Sequence, residues 1–132
     1  MAAAGYSETP LERKLGFKPG MTAVMLDAPD GLELDLDAVT VQRTLRGHAD
    51  IVLCFVTARA GLERRAARLR TAIAPDGIVW VCWPKKASKV PTDMTEDVVR
   101  DVLLPTGLVD VKVAAVDATW SGLKLVVRKE LR

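Results

Sequence analysis

The chain has 132 residues, 19 of them Lys or Arg and 17 Asp or Glu, which gives a formal net charge of +2 with the single histidine neutral. With 49% apolar and 27% charged residues, it lies outside the low-hydrophobicity, high-charge range of disordered chains, and its length suits one domain with a sizeable core. So small a charge excess also lacks the basic surplus that marks a dedicated nucleic-acid binder.

The first local signal is Thr9-Pro10-Leu11-Glu12, where Thr9 can cap a helix, Pro10 fits the first helical position and Glu12 completes a capping box. That helix should end at Gly16, and Lys18-Pro19-Gly20 turns the chain into a first strand, Thr22 to Asp27. Pro29-Asp30-Gly31 breaks the strand. Leu32 to Leu36 reads as one or two helical turns, and the alternation of Ala38 to Arg43 as a half-exposed second strand. Ile51 to Val56 is apolar without alternation, as expected of a parallel strand covered on both faces at the centre of a sheet.

Leu62, Ala66, Leu69 and Ile73 then recur at helical spacing with Arg64 and Arg68 opposite, an amphipathic helix. Pro75-Asp76-Gly77 ends it before another continuous apolar strand, Ile78 to Trp83, and the pair makes a right-handed βαβ unit. Beyond the polar loop Pro84 to Lys89, Asp93 with Glu96 three residues on reads as a capped helix start, and the helix stops at Pro105 and Gly107. Val111 to Asp117 and Leu123 to Lys129, joined by a turn through Trp120-Ser121-Gly122, read as an antiparallel hairpin. The whole predicts an α/β, three-layer fold with a mostly parallel six-stranded sheet, strand order 2-1-3-4-6-5 and an antiparallel last strand.

Met1 to Ser7 lacks the basic and apolar regions of a secretory leader, and the longest strongly apolar run, Ile51 to Ala58, falls far short of the ~18 residues of a membrane span. A cytoplasmic protein without a membrane partner is therefore expected. Cys54 and Cys82 lie inside apolar runs and read as buried thiols, and His48 has no ligand-type residue at metal-binding spacing.

Taken in order, Ile51 to Val56, Leu62 to Ala74, Pro75-Asp76-Gly77, Ile78 to Trp83, Asp93 to Leu104, Gly107-Leu108, Val111 to Asp117 and Leu123 to Lys129 resemble the second half of class I methyltransferases. The resemblance implies a Rossmann-like fold and S-adenosylmethionine as cofactor. Gly5-Tyr6-Ser7, Leu15 to Gly20, Trp83 to Ser88 and Trp120 to Leu123 further resemble signatures of a family of short bacterial proteins known as a domain of unknown function. The chain departs from the methyltransferases in its first loop, Asp27-Ala28-Pro29-Asp30-Gly31, which has one glycine where that family has three. Strand two ends in Gln42-Arg43 rather than in an acidic residue for ribose hydroxyls. Only about twenty residues separate Gly31 from the third strand, so one strand and helix pair is missing.

Ligands of open α/β sheets bind beyond the carboxyl ends of the strands. That rule gathers Asp27, Ala28 and Pro29, then Thr57 and Arg59, then Pro84, Lys85, Lys86 and Ser88 along one rim. Lys85, Lys86, Lys89 and Ser88 suit a phosphate or carboxylate, and Trp83 could stack on a base or pack. Trp80 reads as core, Trp120 as the hairpin's anchor, Asp97 as part of a helix N-terminus, and Arg64, Arg65, Arg68 and Arg70 as a solvated face. Two functions follow. One is a non-catalytic binding or regulatory module for an anionic or nucleotide-like small molecule, acting through the Lys85 to Lys89 rim. The alternative is an S-adenosylmethionine-dependent methyltransferase with an atypical cofactor loop. They differ in whether the crevice between strands one and three is open or closed by Pro29 and its neighbours. Nucleic acid is not expected as a partner, and a protein partner or a homo-oligomer stays open.

Overall fold

The computed structural model describes residues 9–132, so the Gly5-Tyr6-Ser7 signature and the leader reading of Met1 to Ser7 lie outside the described residues. A strand with an unbroken apolar run must be covered on both faces, and β3 (Ala49–Phe55), apolar from Ile51 onward, is that strand. It sits inside a sheet completed by β1 (Thr22–Leu26), β2 (Thr40–Gln42), β4 (Ile73–Pro84), β5 (Leu108–Ala115) and β6 (Trp120–Val127). The order is β2-β1-β3-β4-β6-β5. The first four neighbours run parallel, and β6 is antiparallel to both β4 and β5, as the sequence predicts. The period of two divides the side chains cleanly: Ile51, Leu53 and Phe55 share one face with Trp80 and Cys82, while Val52, Cys54 and Val56 share the other with Val79, Val81 and Trp83.

The two faces are covered unequally. Helices α2 (Arg59–Thr71) and α3 (Glu96–Leu103) cover one, burying Leu62, Leu69, Val99 and Leu103 completely. Among the described residues, the other face is covered by the five-residue α1 (Leu11–Leu15), Phe17, Val116 and Trp120 at the hairpin end, and an extended segment. In that segment Leu32, Leu34 and Leu36 pack on the core while Glu33, Asp35 and Asp37 face solvent. The helical turns expected there do not form, because a helix would throw alternate leucines to opposite sides whereas an extended chain puts all three on the sheet. Trp80, fully buried, donates its indole Nε1 to the Leu15 carbonyl at 2.7 Å. This bond satisfies one of the carbonyls left free at the end of α1 and pins the short helix to the sheet.

Several boundaries differ from the sequence reading for local reasons. Pro10, not Thr9, occupies the cap position of α1 and makes no side-chain cap bond, and Glu12 Oε1 accepts from the Asp35 amide instead, at 3.2 Å. The second strand shortens to Thr40–Gln42. Ile73 belongs to β4 rather than to α2, because the Ala49 amide takes the Ala72 carbonyl at 2.8 Å and Ile73 then pairs with Ala49. Residues 74–77 bulge outward before pairing resumes at Ile78. Thr95 rather than Asp93 caps α3, its Oγ1 accepting from the Val98 amide at 3.1 Å. Asp93 reaches across to α2 and accepts from the Arg59 amide at 2.7 Å. Trp120 starts β6, and the turn before it is closed by Asp117 Oδ1, which accepts from the amides of Thr119 and Trp120 at 2.8 Å each.

The Trp80 bond is testable. Trp80→Phe keeps an aromatic ring in place but strands the buried Leu15 carbonyl, so guanidinium unfolding should show a loss of about 1–3 kcal/mol.

Candidate functional site

In a parallel sheet the connections of neighbouring strands diverge where the strand order reverses, and a crevice opens at their carboxyl ends. Here β1 connects outward to β2, whereas β3 connects through α2 to β4. A cavity of about 440 Å³ lies at that point, lined by Asp27, the Phe55–Ala58 strand end, Gly61, Arg64, Arg65 and Trp120. Its volume is in the range of small-molecule sites. The crevice is open, and Pro29 does not close it.

Each wall has a cause in the chain. Asp27 leaves β1 with a left-handed backbone, φ +57°, a conformation that aspartate tolerates better than most residues, and so turns the chain aside at once. Arg65 joins the elements: one guanidinium nitrogen lies 3.0 Å from Asp27 Oδ2 and another 3.8 Å from Cys54 Sγ. Phe55 and Trp120 meet edge to face, with ring centres 5.2 Å apart and planes at 87°, and form an aromatic wall. Gly61 leaves a gap in the helix surface, where an added Cβ would meet only the Arg64 guanidinium, at 3.8 Å. The rim is fixed by the Thr92 hydroxyl, which donates to the Thr57 carbonyl at 2.6 Å, and by the Asp93 bond to α2.

Of the candidates named from sequence, Asp27 and Thr57 line this crevice. Pro29, Arg59, Trp83, Lys85, Lys86 and Ser88 are outside its lining. The Arg59 side chain pairs with Glu63 at 3.0 Å and with Asp101 at 3.8 Å. Trp83 is 7% exposed and packs in the core on the α2 and α3 face. The Ser88 hydroxyl donates to the Lys85 carbonyl at 2.6 Å and accepts from the Val90 amide at 3.3 Å, and the Lys85 amide is held by the Thr119 carbonyl at 2.8 Å. Lys86 is exposed in the 3₁₀ turn Lys86–Ser88. Sequence reading missed Arg64, Arg65 and Trp120 as site residues. The signal was present, since Gly61, Arg64, Arg65 and Arg68 fall at i, i+3, i+4 and i+7 on a helix that starts directly beyond the switch point.

Both cysteines are free and buried. Burial pushes the Cys54 thiol up, only partly offset by Arg65, and pushes Cys82 well above its ordinary value of 9.0, with Cys54 and Asp117 adding to the rise. Both shifts favour the protonated thiol. No group of three metal-ligating side chains occurs among the described residues, and none of their helices is long and apolar enough to cross a membrane.

No family model and no curated protein matches the chain. Solved structures do. The magnesium protoporphyrin IX methyltransferase of Synechocystis PCC 6803, with S-adenosylmethionine bound, is similar at a TM-score of 0.59 and 11% identity, over 89% of this chain and 74% of that one. The pyocyanin biosynthetic protein PhzM gives 0.60 and 17%, over 89% and 53%. The N,N-8-amino-8-demethyl-D-riboflavin dimethyltransferase of Streptomyces davawensis gives 0.52 and 18%, over 69% and 35%. The chain thus spans about half the length of the second and about a third of the third. These likenesses define the class of fold: a Rossmann-like domain of the class I methyltransferase type.

The thiols give a pH prediction. The fold holds the Cys82 proton at pH values where the unfolded chain releases it, so the unfolded state binds fewer protons above about pH 9 and the thiol's contribution falls as pH rises. Urea unfolding at pH 7, 9 and 10 should show the stability gap between wild type and Cys82→Ala shrinking with pH.

Proposed function

We propose that the chain is an S-adenosylmethionine-dependent methyltransferase with an atypical cofactor loop, its cofactor seated in the crevice between β1 and β3. One observation carries this reading over that of a closed, non-catalytic module: the crevice is open, about 440 Å³ in volume, at the switch point of the sheet. The solved neighbours support it, since one of them holds S-adenosylmethionine.

The residues present suit such a group. Phe55 and Trp120 offer an aromatic wall for a flat base. The Asp27 side chain keeps 68% of its surface exposed despite its ion pair with Arg65, which leaves carboxylate oxygen to accept from a hydroxyl. Gln42 ends β2 where an acidic residue is expected, and it lies outside the crevice lining with its Oε1 buried. Ala28 packs on the core, and Gly31, at φ +82° with open space around its missing Cβ, supplies the one flexible point of the loop. When bound, the cofactor supplies a methyl group on a sulfonium sulfur. The chain's part is then to orient the reactants and exclude water, work that needs no strong base in the crevice. The short bacterial family that the Trp83 to Ser88 segment resembles would share this site, and the two free thiols suit a reducing cytoplasm.

A second reading, binding without transfer, is favoured by the loop itself, where Pro29 removes an amide donor and Ala28 stands in place of a glycine. Calorimetry with S-adenosylhomocysteine tests the shared claim. Saturable binding is expected for the wild-type chain, and none for Gly61→Leu, which fills the crevice from α2. Replacing a helical glycine should not destabilise the fold and can add about 0.5–1 kcal/mol. No binding to the wild type, or unchanged binding in Gly61→Leu, would refute the site. Binding without methyl transfer to any acceptor would leave the second reading.

A further inference from the structure

A second recess adjoins the crevice, and four of the residues that line it are arginines. It encloses about 290 Å³ between Leu26 at the end of β1, the Arg43-Thr44-Leu45 segment after β2, and Arg64, Arg65 and Arg68 on α2. Arg64 and Arg65 border both spaces. Four arginines therefore line one hollow, and among the described residues the one carboxylate that pairs with any of them is Asp27, on Arg65 at 3.0 Å. Arg68 is positioned by its bond to the Leu45 carbonyl at 2.7 Å. Arg43 and Arg64 have no acidic partner within 4.0 Å among the described residues. Like charges stacked at i, i+3 and i+4 on a helix oppose folding, and here they gather around a hollow instead of alternating with acids. We propose that this recess is a binding site for the phosphate or pyrophosphate group of a small molecule, held by Arg43, Arg64 and Arg68.

The chemistry favours a phosphate over a single carboxylate. Guanidinium groups bind phosphate oxygens through paired N–H donors, and three converging arginines match a group with several anionic oxygens. No aromatic side chain lines the recess to stack bases, which favours a small molecule over a single-stranded nucleic acid. The proposal goes beyond the cofactor reading of the crevice and stands without it.

Calorimetric titration with sodium pyrophosphate at low ionic strength tests the site. One saturable site is expected, weakened roughly 10- to 100-fold by either Arg43→Gln or Arg64→Gln, as loss of a charge-assisted hydrogen bond implies. Both side chains are exposed, so the fold should survive, and near-unchanged circular dichroism melting verifies it. The double variant Lys85→Gln/Lys86→Gln, which alters the other basic loop, should bind as wild type does. Because arginine stays protonated, binding should also persist at pH 9.5. Absence of saturable binding, or loss in the lysine variant with none in the arginine variants, overturns the proposal. So does a single-stranded oligonucleotide that binds through the same arginines more tightly than pyrophosphate, since the ligand would then be a nucleic-acid backbone. The S-adenosylhomocysteine titration is independent, so failure of one site does not decide the other.

Discussion

The architecture follows from the need to bury β3 on both faces. A run from Ile51 to Phe55 with no polar side chain leaves no face that water can wet. Two covering layers are therefore obligatory, yet the short span between β1 and β3 supplies no long helix for the second one. The chain meets this need with α1, Phe17 and the alternating leucines of the 32–36 segment, and Trp80 anchors α1 through the Leu15 carbonyl. The cover is thin but continuous. With α2 and α3 on one face and these small pieces on the other, the carboxyl ends of β1 and β3 are left unroofed, and the crevice is the result.

Arg65 converts that gap into a site. Its guanidinium links α2 to the end of β1 through Asp27 and to the end of β3 through Cys54, so one side chain ties together three elements that border the crevice. An exposed ion pair of this kind adds little stability, and its value here is geometric. The same helix presents Gly61 toward the crevice and Arg68 toward the second recess, so two spaces of different chemistry lie along one stripe of α2. One has an aromatic wall and a carboxylate, and the other is a basket of arginines.

The fold was legible because its evidence is periodic and local. Continuous apolar runs at Ile51 to Val56 and Ile78 to Trp83, and the short turn before Leu123, mark the buried central strands and the closing hairpin. The misreadings occurred where tertiary partners decide. Asp93 has the spacing of a cap for α3 and instead serves the amide of Arg59, thirty-four positions away in sequence. Leu32 to Leu36 alternates plainly, but the sheet face that holds those leucines and decides against helical turns is not visible in the chain. The site was legible only in part for a related reason. Asp27 and Thr57 followed from the rule of strand ends, whereas the arginines looked like a solvated face until the β2–β3 connection was seen to fold over them. The Lys85 to Ser88 loop has the composition of a phosphate site, but its Ser88 hydroxyl is engaged by the loop's own backbone and the loop lies outside the crevice lining.

The central claim is that the β1–β3 crevice is an adenosyl-cofactor site, and chemical-shift mapping of the ¹⁵N-labelled chain with S-adenosylhomocysteine addresses it most directly. Three tryptophans serve as internal reporters. The account expects shifts at the Asp27, Thr57, Ala58 and Gly61 amides and at the Trp120 indole, with the Trp80 indole unmoved. Shifts confined to the Lys85 to Lys89 loop, or no shifts at saturating ligand, would contradict it.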